Sequence, residues 1–368
     1  MLFYITGCDL SENGFVGIYK KVIAQMNVFE KEFGTAYYTF WDLKFVYLMY
    51  GKQMVKKKRA ITRKDFTDVI VHWIQEYDVQ QTYIRYIFAH RQLIRLLQYL
   101  KEKNIKTIIE IPTYPYDGEI PYNRFKIEDV FYREKISDYI ERITTYSNHK
   151  EIWGIPCIPL RNGIDIEEKS IVPYKEKKKD IVMIAVASMS QWHGYERIIE
   201  GLYYYYKAGG EWNLRLKLIG EGLELNRYKQ LVEGYGLQAR VDFYGRLEGQ
   251  ALSDVFEQSD IGMVSFGLYK TGIDEASPIK GAEYCARGIP IVCGYNDLRF
   301  PEDTFFVLRV PNCELPLNME QIIDFYESVV EQKDFKEKIY HYAMQYLSWD
   351  GIMKPIIEYF SNVNDKRN

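Results

Sequence analysis

The strongest constraint on this chain is an alternation of two periodicities. Strand-like "MLFYITG" gives way to the helical pattern "GIYKKVIAQMNVFEKEF". Then come "AYYTFW", helical "TRKDFTDVIVHWIQEY", "QTYIRYI", helical "RQLIRLLQYLKEKN" and "KTIIEIP". Strands separated by helices pair in parallel through crossovers, so this order predicts a parallel sheet with helices on both faces. After "CIPLRNGIDI" the composition shifts to the charged "VPYKEKKKD", which reads as a linker. A second series follows: "IVMIAVAS", helical "YERIIEGLYYYYKAG", "LRLKLIG", helical "LELNRYKQLVEGYG", "VDFYG", helical "GQALSDVFEQS", "IGMVSF" and "IPIVCG". The expectation is an α/β chain of two Rossmann-like, doubly wound domains facing a central cleft. Its segments are an N-terminal domain over 1–172, a linker over 173–180 and a C-terminal domain over 181–345, followed by residues 346–368. At 368 residues the chain is long enough for two such cores.

Composition narrows the function classes. A net charge of -3 argues for neither a nucleic acid nor an acidic partner. Cys8, Cys157, Cys285, Cys293 and Cys313 are odd in number and scattered, with no C-x-x-C pair, which signals neither a disulfide framework nor a zinc site and fits a reducing cytoplasm. The chain opens on a strand-like segment without a signal-peptide pattern, and no apolar run reaches transmembrane length.

The segment "DEASPIKGAEYCARGIP", residues 274 to 290, carries the chemistry. Ser277 and Pro278 read as N-cap and first helical residue, with the helix running to Ala286 or Arg287 and Gly288 as its stop. On that helix Ile279, Ala282, Glu283 and Ala286 share one face, which places Glu283 in a stripe expected to be buried. A carboxylate there needs a partner. Two readings stand: an ion pair with Lys280 one turn earlier, or a ligand contact. Loops after strands in such sheets face ligands, and helix N-termini there favour anions. A carboxylate on the same wall accepts hydroxyls, as from a ribose. Phosphate donors and hydroxyl acceptors together suit a nucleotide-sugar.

With these residues in view, the chain resembles the retaining GT-B glycosyltransferases, family 4. Glu275 and Glu283 stand at the spacing of that family's E-x7-E motif, and "SPIKGAEYCARGIPIV" is similar to its surroundings. "RNGIDI" at 161–166, "LIGEG", "VDFYGRL" and "SWDGIMKPIIEYF" resemble further family marks, the last implying a final helix over 346–368 that crosses back to the N-terminal domain, while "GIYKKVIAQ", "YIRY" and "EIPTYPYDGE" resemble a bacterial subgroup that makes surface polysaccharides. The resemblance implies that Glu283 holds the donor ribose and that Glu275 contacts the transferred sugar. It further implies that Ser277, Pro278, Ile279 and Lys280 steady the diphosphate, and that Arg246 and Leu247 border the base. Gly14 and Gly17 would let the first loop approach the phosphates, or would make only a tight turn; their spacing misses the dinucleotide fingerprint.

One departure from the family pattern matters. Where many members place Arg-x4-Lys-Gly, this chain has Ser188, His193 and Gly194. The cationic clamp is thinned, leaving His193 as a phosphate contact either as a cation or as a neutral N–H donor. Arg197, on the following helix, could instead pair with that helix's own surface.

On the acceptor side, Tyr114, Tyr116, Asp117 and Glu119 in "EIPTYPYDGE" are candidate contacts, although Pro112 and Pro115 equally suit a stiff structural loop. Residues 52–64, "KQMVKKKRAITRK", carry basic residues and no acidic one. They read either as a solvated face or as a surface for an anionic membrane, peripheral on the inner face of the plasma membrane. The expected activity is metal-independent transfer, with retention, of a sugar from a UDP- or GDP-linked donor to a glycan or lipid-linked acceptor, with no cofactor. A nucleotide-sugar 2-epimerase and a non-catalytic accessory subunit are the rival readings.

Overall fold

The computed structural model describes residues 1–11, 16–116, 124–166, 171–174 and 179–362. It divides into two units, one formed by Met1–Arg161 with Trp349–Asn368, the other by Asn162–Ser348.

The first unit contains, in chain order, β1 (Leu2–Thr6), α1 (Val16–Phe33), β2 (Ala36–Trp41), β3 (Phe45–Tyr50), β4 (Gln53–Arg59), α2 (Arg63–Glu76), β5 (Gln81–Arg85), α3 (Arg91–Glu102), β6 (Lys106–Ile111), α4 (Arg124–Tyr132), β7 (Arg142–Thr145), β8 (Glu151–Ile152) and β9 (Ile155–Pro159). The sheet order is β4-β3-β2-β1-β5-β6-β7-β9-β8. Its centre, from β2 to β9, is parallel. The interior strand β1 is buried along its whole length, as expected of a strand covered on both faces. Thr62 and Asp65 form a reciprocal capping box that starts α2, and α3 buries Leu93, Leu96, Leu97 and Leu100 on one stripe. The C-terminal helix, Trp349–Ser361, packs Trp349, Met353, Ile356 and Phe360 into the same core as α1.

Two antiparallel strands that the alternation did not predict extend this sheet. β3 returns beside β2 and β4 beside β3. The basic stretch is therefore mostly an edge strand, "QMVKKKR", exposed at nearly every position. Lysines on an edge oppose pairing with another chain.

The second unit comprises β10 (Asp180–Val186), α5 (Glu196–Lys207), β11 (Asn213–Ile219), α6 (Leu225–Gly234), β12 (Val241–Gly245), α7 (Gly249–Phe256), β13 (Ile261–Met263), α8 (Ile279–Cys285), β14 (Ile291–Cys293), β15 (Val307–Arg309), α9 (Met319–Val330) and α10 (Phe335–Tyr342). All of its strand pairs are parallel, in the order β12-β11-β10-β13-β14-β15. The chain passes between the units at Arg161/Asn162 rather than at residue 172. Ile164, Ile166 and Val172 explain the difference: they are buried in the core of the second unit, and Ile164 bridges to Ser348. Among the described residues, no helix is long and apolar enough to cross a membrane.

Candidate functional site

Most of the residues singled out in the second unit lie just beyond the carboxyl ends of its strands. There the loops are tied together by backbone hydrogen bonds. Ala187 N–H donates to Ile219 O (2.9 Å), Met189 N–H to Glu221 O (2.8 Å), Phe266 N–H to His193 O (2.8 Å) and Gly294 N–H to Ser265 O (2.8 Å). Glycine permits two of the close approaches. At Gly194, with φ +63, a Cβ would sit 2.5 Å from Gly267 N; at Gly220 it would sit 1.9 Å from Ala187 O.

His193 closes a short 3-10 turn, Gln191–His193, and is only 3 % exposed. The Ser190 amide donates to its Nδ1 at 3.0 Å. An accepting Nδ1 carries no proton, so the neutral ring holds its proton on Nε2. That nitrogen lies 2.6 Å from Lys280 Nζ. The two sides of the motif thus meet: the loop after β10 and the first turn of α8. Burial, reinforced by the Lys280 charge, pushes the His193 pKa down to about 4. Burial pushes Lys280 down to about 8, with Glu283 acting in the opposite direction. In this geometry His193 carries its proton on Nε2 and can donate to Lys280 only in that amine's neutral form, so the cationic histidine expected as one option is not what this arrangement favours.

The helix itself departs from expectation in two ways. Pro278 is the N-cap residue, extended at ψ 145, rather than the first helical residue, and Ser277 lies before the cap. Arg299 fixes this point: its guanidinium donates to Pro278 O at 2.8 Å while pairing with Asp297 at 2.6 Å, in a buried ion pair. The buried face is also rotated. Gly281, Ala282, Tyr284 and Cys285 face inward, Ile279 is 45 % exposed, and Glu283 is half-buried. Tyr284 takes the inward position because its Oη accepts the Val186 amide at 3.0 Å, locking α8 to the end of β10.

Glu275 is exposed and lies in a parallel bridge with Asn296, flanked by Ala276 N–H to Asn296 O (3.0 Å) and Asn296 N–H to Asp274 O (2.8 Å). A three-residue ladder therefore holds the backbone of an exposed carboxylate. Ser188 is exposed, and its carbonyl accepts from Ser190 Oγ at 2.8 Å. Arg246, directly after β12, is exposed and pairs with Glu248 at 2.6 Å, while Leu247 packs partly against the core.

In the first unit, Tyr116 is buried. Its hydroxyl bonds Tyr86 Oη and Asp129 Oδ2, each at 2.9 Å, so it is committed to a structural network. Tyr114 is half-buried, its ring 4.8 Å from that of His149. Gly17 belongs to α1. Gly14, Asp117 and Glu119 lie outside the described residues.

Sequence reasoning missed the clamps around the site. Arg197 is 2 % exposed instead of a surface residue, and donates to Leu315 O (2.6 Å), Phe266 O (2.8 Å) and Pro311 O (3.1 Å). It ties α5 to loops far away in sequence. No local periodicity announces such a role; only its place on the otherwise apolar face "RIIEGL" hinted at it.

Comparisons with known proteins agree with this architecture. Residues 166–336 match the family model described as glycosyl transferases group 1. No curated protein sequence matches the chain. Among solved structures, the chain is similar to a glycosyltransferase from Rickettsia africae (13 % identity, TM-score 0.61, covering 99 % of this chain and 98 % of that one). It is also similar to the lipopolysaccharide outer core galactosyltransferase WaaB (14 %, 0.56, 98 % and 99 %) and to Anabaena HepE in complex with UDP (12 %, 0.55, 98 % and 99 %). The fold is that of GT-B structures: two Rossmann-like domains, each built on a parallel sheet.

Proposed function

We propose that this chain is a retaining, metal-independent glycosyltransferase of family 4 that uses a nucleotide-diphosphate sugar and serves bacterial surface polysaccharide synthesis in the cytoplasm. The observation that carries the reading is the meeting of Lys280 with His193 at the carboxyl end of a Rossmann-like sheet, within the segment that matches the glycosyl transferase family model. Lys280 gives a charge, His193 Nε2–H and the turn backbone give neutral donors, and together they suit a leaving diphosphate. The exposed Glu275 is suited to contact the transferred sugar; the half-buried Glu283 is suited to a ribose. UDP is the donor nucleotide we favour, because HepE was crystallised with it. In the reaction, an acceptor hydroxyl oxygen bonds the anomeric carbon from the face the diphosphate leaves. The carbon–phosphate-oxygen bond breaks, and the hydroxyl proton passes to the departing phosphate.

Thermal stabilisation of the full chain across UDP-, GDP- and dTDP-sugars tests donor use; one class should raise the melting temperature and the others should not. Product from a matched donor and acceptor, with the anomeric configuration read by NMR, tests retention. Donor turnover without acceptor would indicate an epimerase, and absence of any nucleotide-sugar binding would overturn the proposal.

A further inference from the structure

The first unit holds a second charged cluster that the donor chemistry does not use. At the carboxyl end of its sheet, Arg85 stands opposite Glu110, and Glu110 opposite Thr144, in parallel register. Glu110 is fully buried and its oxygens are occupied. Oε1 accepts from Arg85, and Oε2 accepts from Gln25 at 2.8 Å and Tyr83 at 2.7 Å. The one carboxylate is thus saturated by neutral donors and a single guanidinium nitrogen.

A second cation stands beside this pair. Lys21, half-buried on α1, has its Nζ 4.6 Å from the centroid of the Tyr146 ring and forms no salt bridge among the described residues. Burial and the neighbouring Arg85 charge hold its pKa below the usual lysine range, with Glu110 opposing. Arg85 is 7 % exposed; one of its nitrogens donates to Glu110 and its side chain also meets the Tyr4 hydroxyl, so part of its five-donor fork is left for a further acceptor. The Tyr146 hydroxyl is buried and has no hydrogen-bond partner. Two cations therefore face one saturated carboxylate, and an unpartnered hydroxyl sits with them. A surplus positive charge withdrawn from water is stabilised by an anion.

We propose that Lys21, Arg85 and Tyr146 form an oxyanion subsite at the carboxyl end of the first unit's sheet, taking a phosphate or carboxylate group. A guanidinium fork, an ammonium and a phenol are donors of the kind that encloses such a group. The group can belong to an anionic second substrate or to the nucleotide itself. The inference does not depend on glycosyl transfer, since it follows from the charge balance of this unit.

The test is calorimetric titration of the full chain with inorganic phosphate and with glucuronate, with and without saturating UDP, for wild type, Lys21→Met, Lys21→Arg and Tyr146→Phe. Saturable binding of at least one probe is expected, weakened about tenfold or more in Lys21→Met and retained in Lys21→Arg, with a smaller loss in Tyr146→Phe. Binding that persists with UDP present assigns the group to a second substrate, and binding that UDP displaces assigns it to the nucleotide; both support the subsite. Without ligand, Lys21→Met should melt higher than wild type, because the repulsion with Arg85 is gone. No saturable binding of either probe, or binding indifferent to Lys21→Met, would overturn the inference and mark any bound phosphate as held elsewhere. A chain that binds phosphate through Lys21 but never binds a nucleotide-sugar would leave this subsite standing while ending the transferase reading.

Discussion

Lys280 Nζ lies 2.6 Å from His193 Nε2, and His193 Nδ1 accepts the Ser190 amide. With Nδ1 accepting, the 2.6 Å contact is a hydrogen bond only when a neutral imidazole donates to an unprotonated Lys280, a form the amine reaches above its pKa of about 8. A diphosphate arriving here would favour the protonated lysine, so binding is expected to draw a proton from solvent wherever the free amine predominates.

The pH dependence follows with its sign. Lys280 titrates near 8 in the free protein, and a bound anion raises that value. Donor affinity should be flat below this pH and fall above it, by up to about tenfold per pH unit until the bound-state pKa is reached. His193, held near 4, should add no change between about pH 5 and 7. Calorimetry in two buffers of different ionisation enthalpy reads the proton uptake directly. A decline centred between pH 5 and 7 that disappears in His193→Ala would reverse the assignment.

The two glutamates should separate by exposure. Glu275 is exposed and its backbone, not its side chain, makes the ladder to Asn296. Glu275→Ala is therefore expected to keep the melting temperature and lose transfer. Glu283→Ala should raise the donor Kd by about tenfold through lost hydroxyl contacts. A lower melting temperature with unchanged Kd in Glu283→Ala would mean that this carboxylate serves only the helix.

Gly194→Ala should be costly where Gly209→Ala is mild. Both glycines have positive φ, +63 and +88, but a Cβ at 194 meets the backbone of Gly267 and Phe266 while one at 209 meets nothing within 4 Å. Backbone strain alone costs about 1–3 kcal/mol, and the clash adds to it at 194. Urea denaturation of the two variants gives the difference, and equal losses would show that the loop yields freely.

The Arg299–Asp297 pair is expected to behave as a buried ion pair that cannot lose one partner. Both side chains are almost wholly buried, so Asp297→Ala should destabilise by about 3–5 kcal/mol. Because Arg299 also holds Pro278 O, donor affinity should weaken with it. Denaturation and donor titration of the same variant check both statements.

Lysines of β4 should protect an edge. Lys56 and Lys58 lie opposite Leu48 and Val46 on the exposed strand. Lys56→Thr with Lys58→Thr is expected to self-associate at concentrations where the wild type does not, measured by analytical ultracentrifugation. Sedimentation with neutral and anionic vesicles separates this role from membrane docking, for which wild type alone would bind the anionic vesicles.

How much was legible in the sequence follows from the range of the forces involved. Alternating periodicity predicted β1, β2, β5 and β6 of the first sheet, β10 to β14 of the second, and α1, α2 and α3, because burying a stripe or a face is a local pattern repeated along the chain; the interior parallel strands β7 and β9 were not predicted. The stretch from Glu275 to Glu283 was legible for the same reason: proline, glycine and spacing mark a strand–loop–helix unit. In the edge hairpin, β4 escaped because an exposed strand needs no apolar alternation, whereas β3, which buries Val46 and Leu48 alternately, carried the signal without being predicted. Helix rotation escaped as well, since Tyr284 and Glu283 are adjacent, and only the Val186 amide, 98 residues away in sequence, decides which points inward. Arg197 looked like a surface residue until three distant carbonyls enclosed it. Likewise, composition shows Lys280 as an ordinary cation and His193 as a histidine of open protonation. Their proton arrangement exists only because folding removes both from water and sets them 2.6 Å apart, and both desolvation and pairing are properties of the assembled tertiary structure, not of either segment alone.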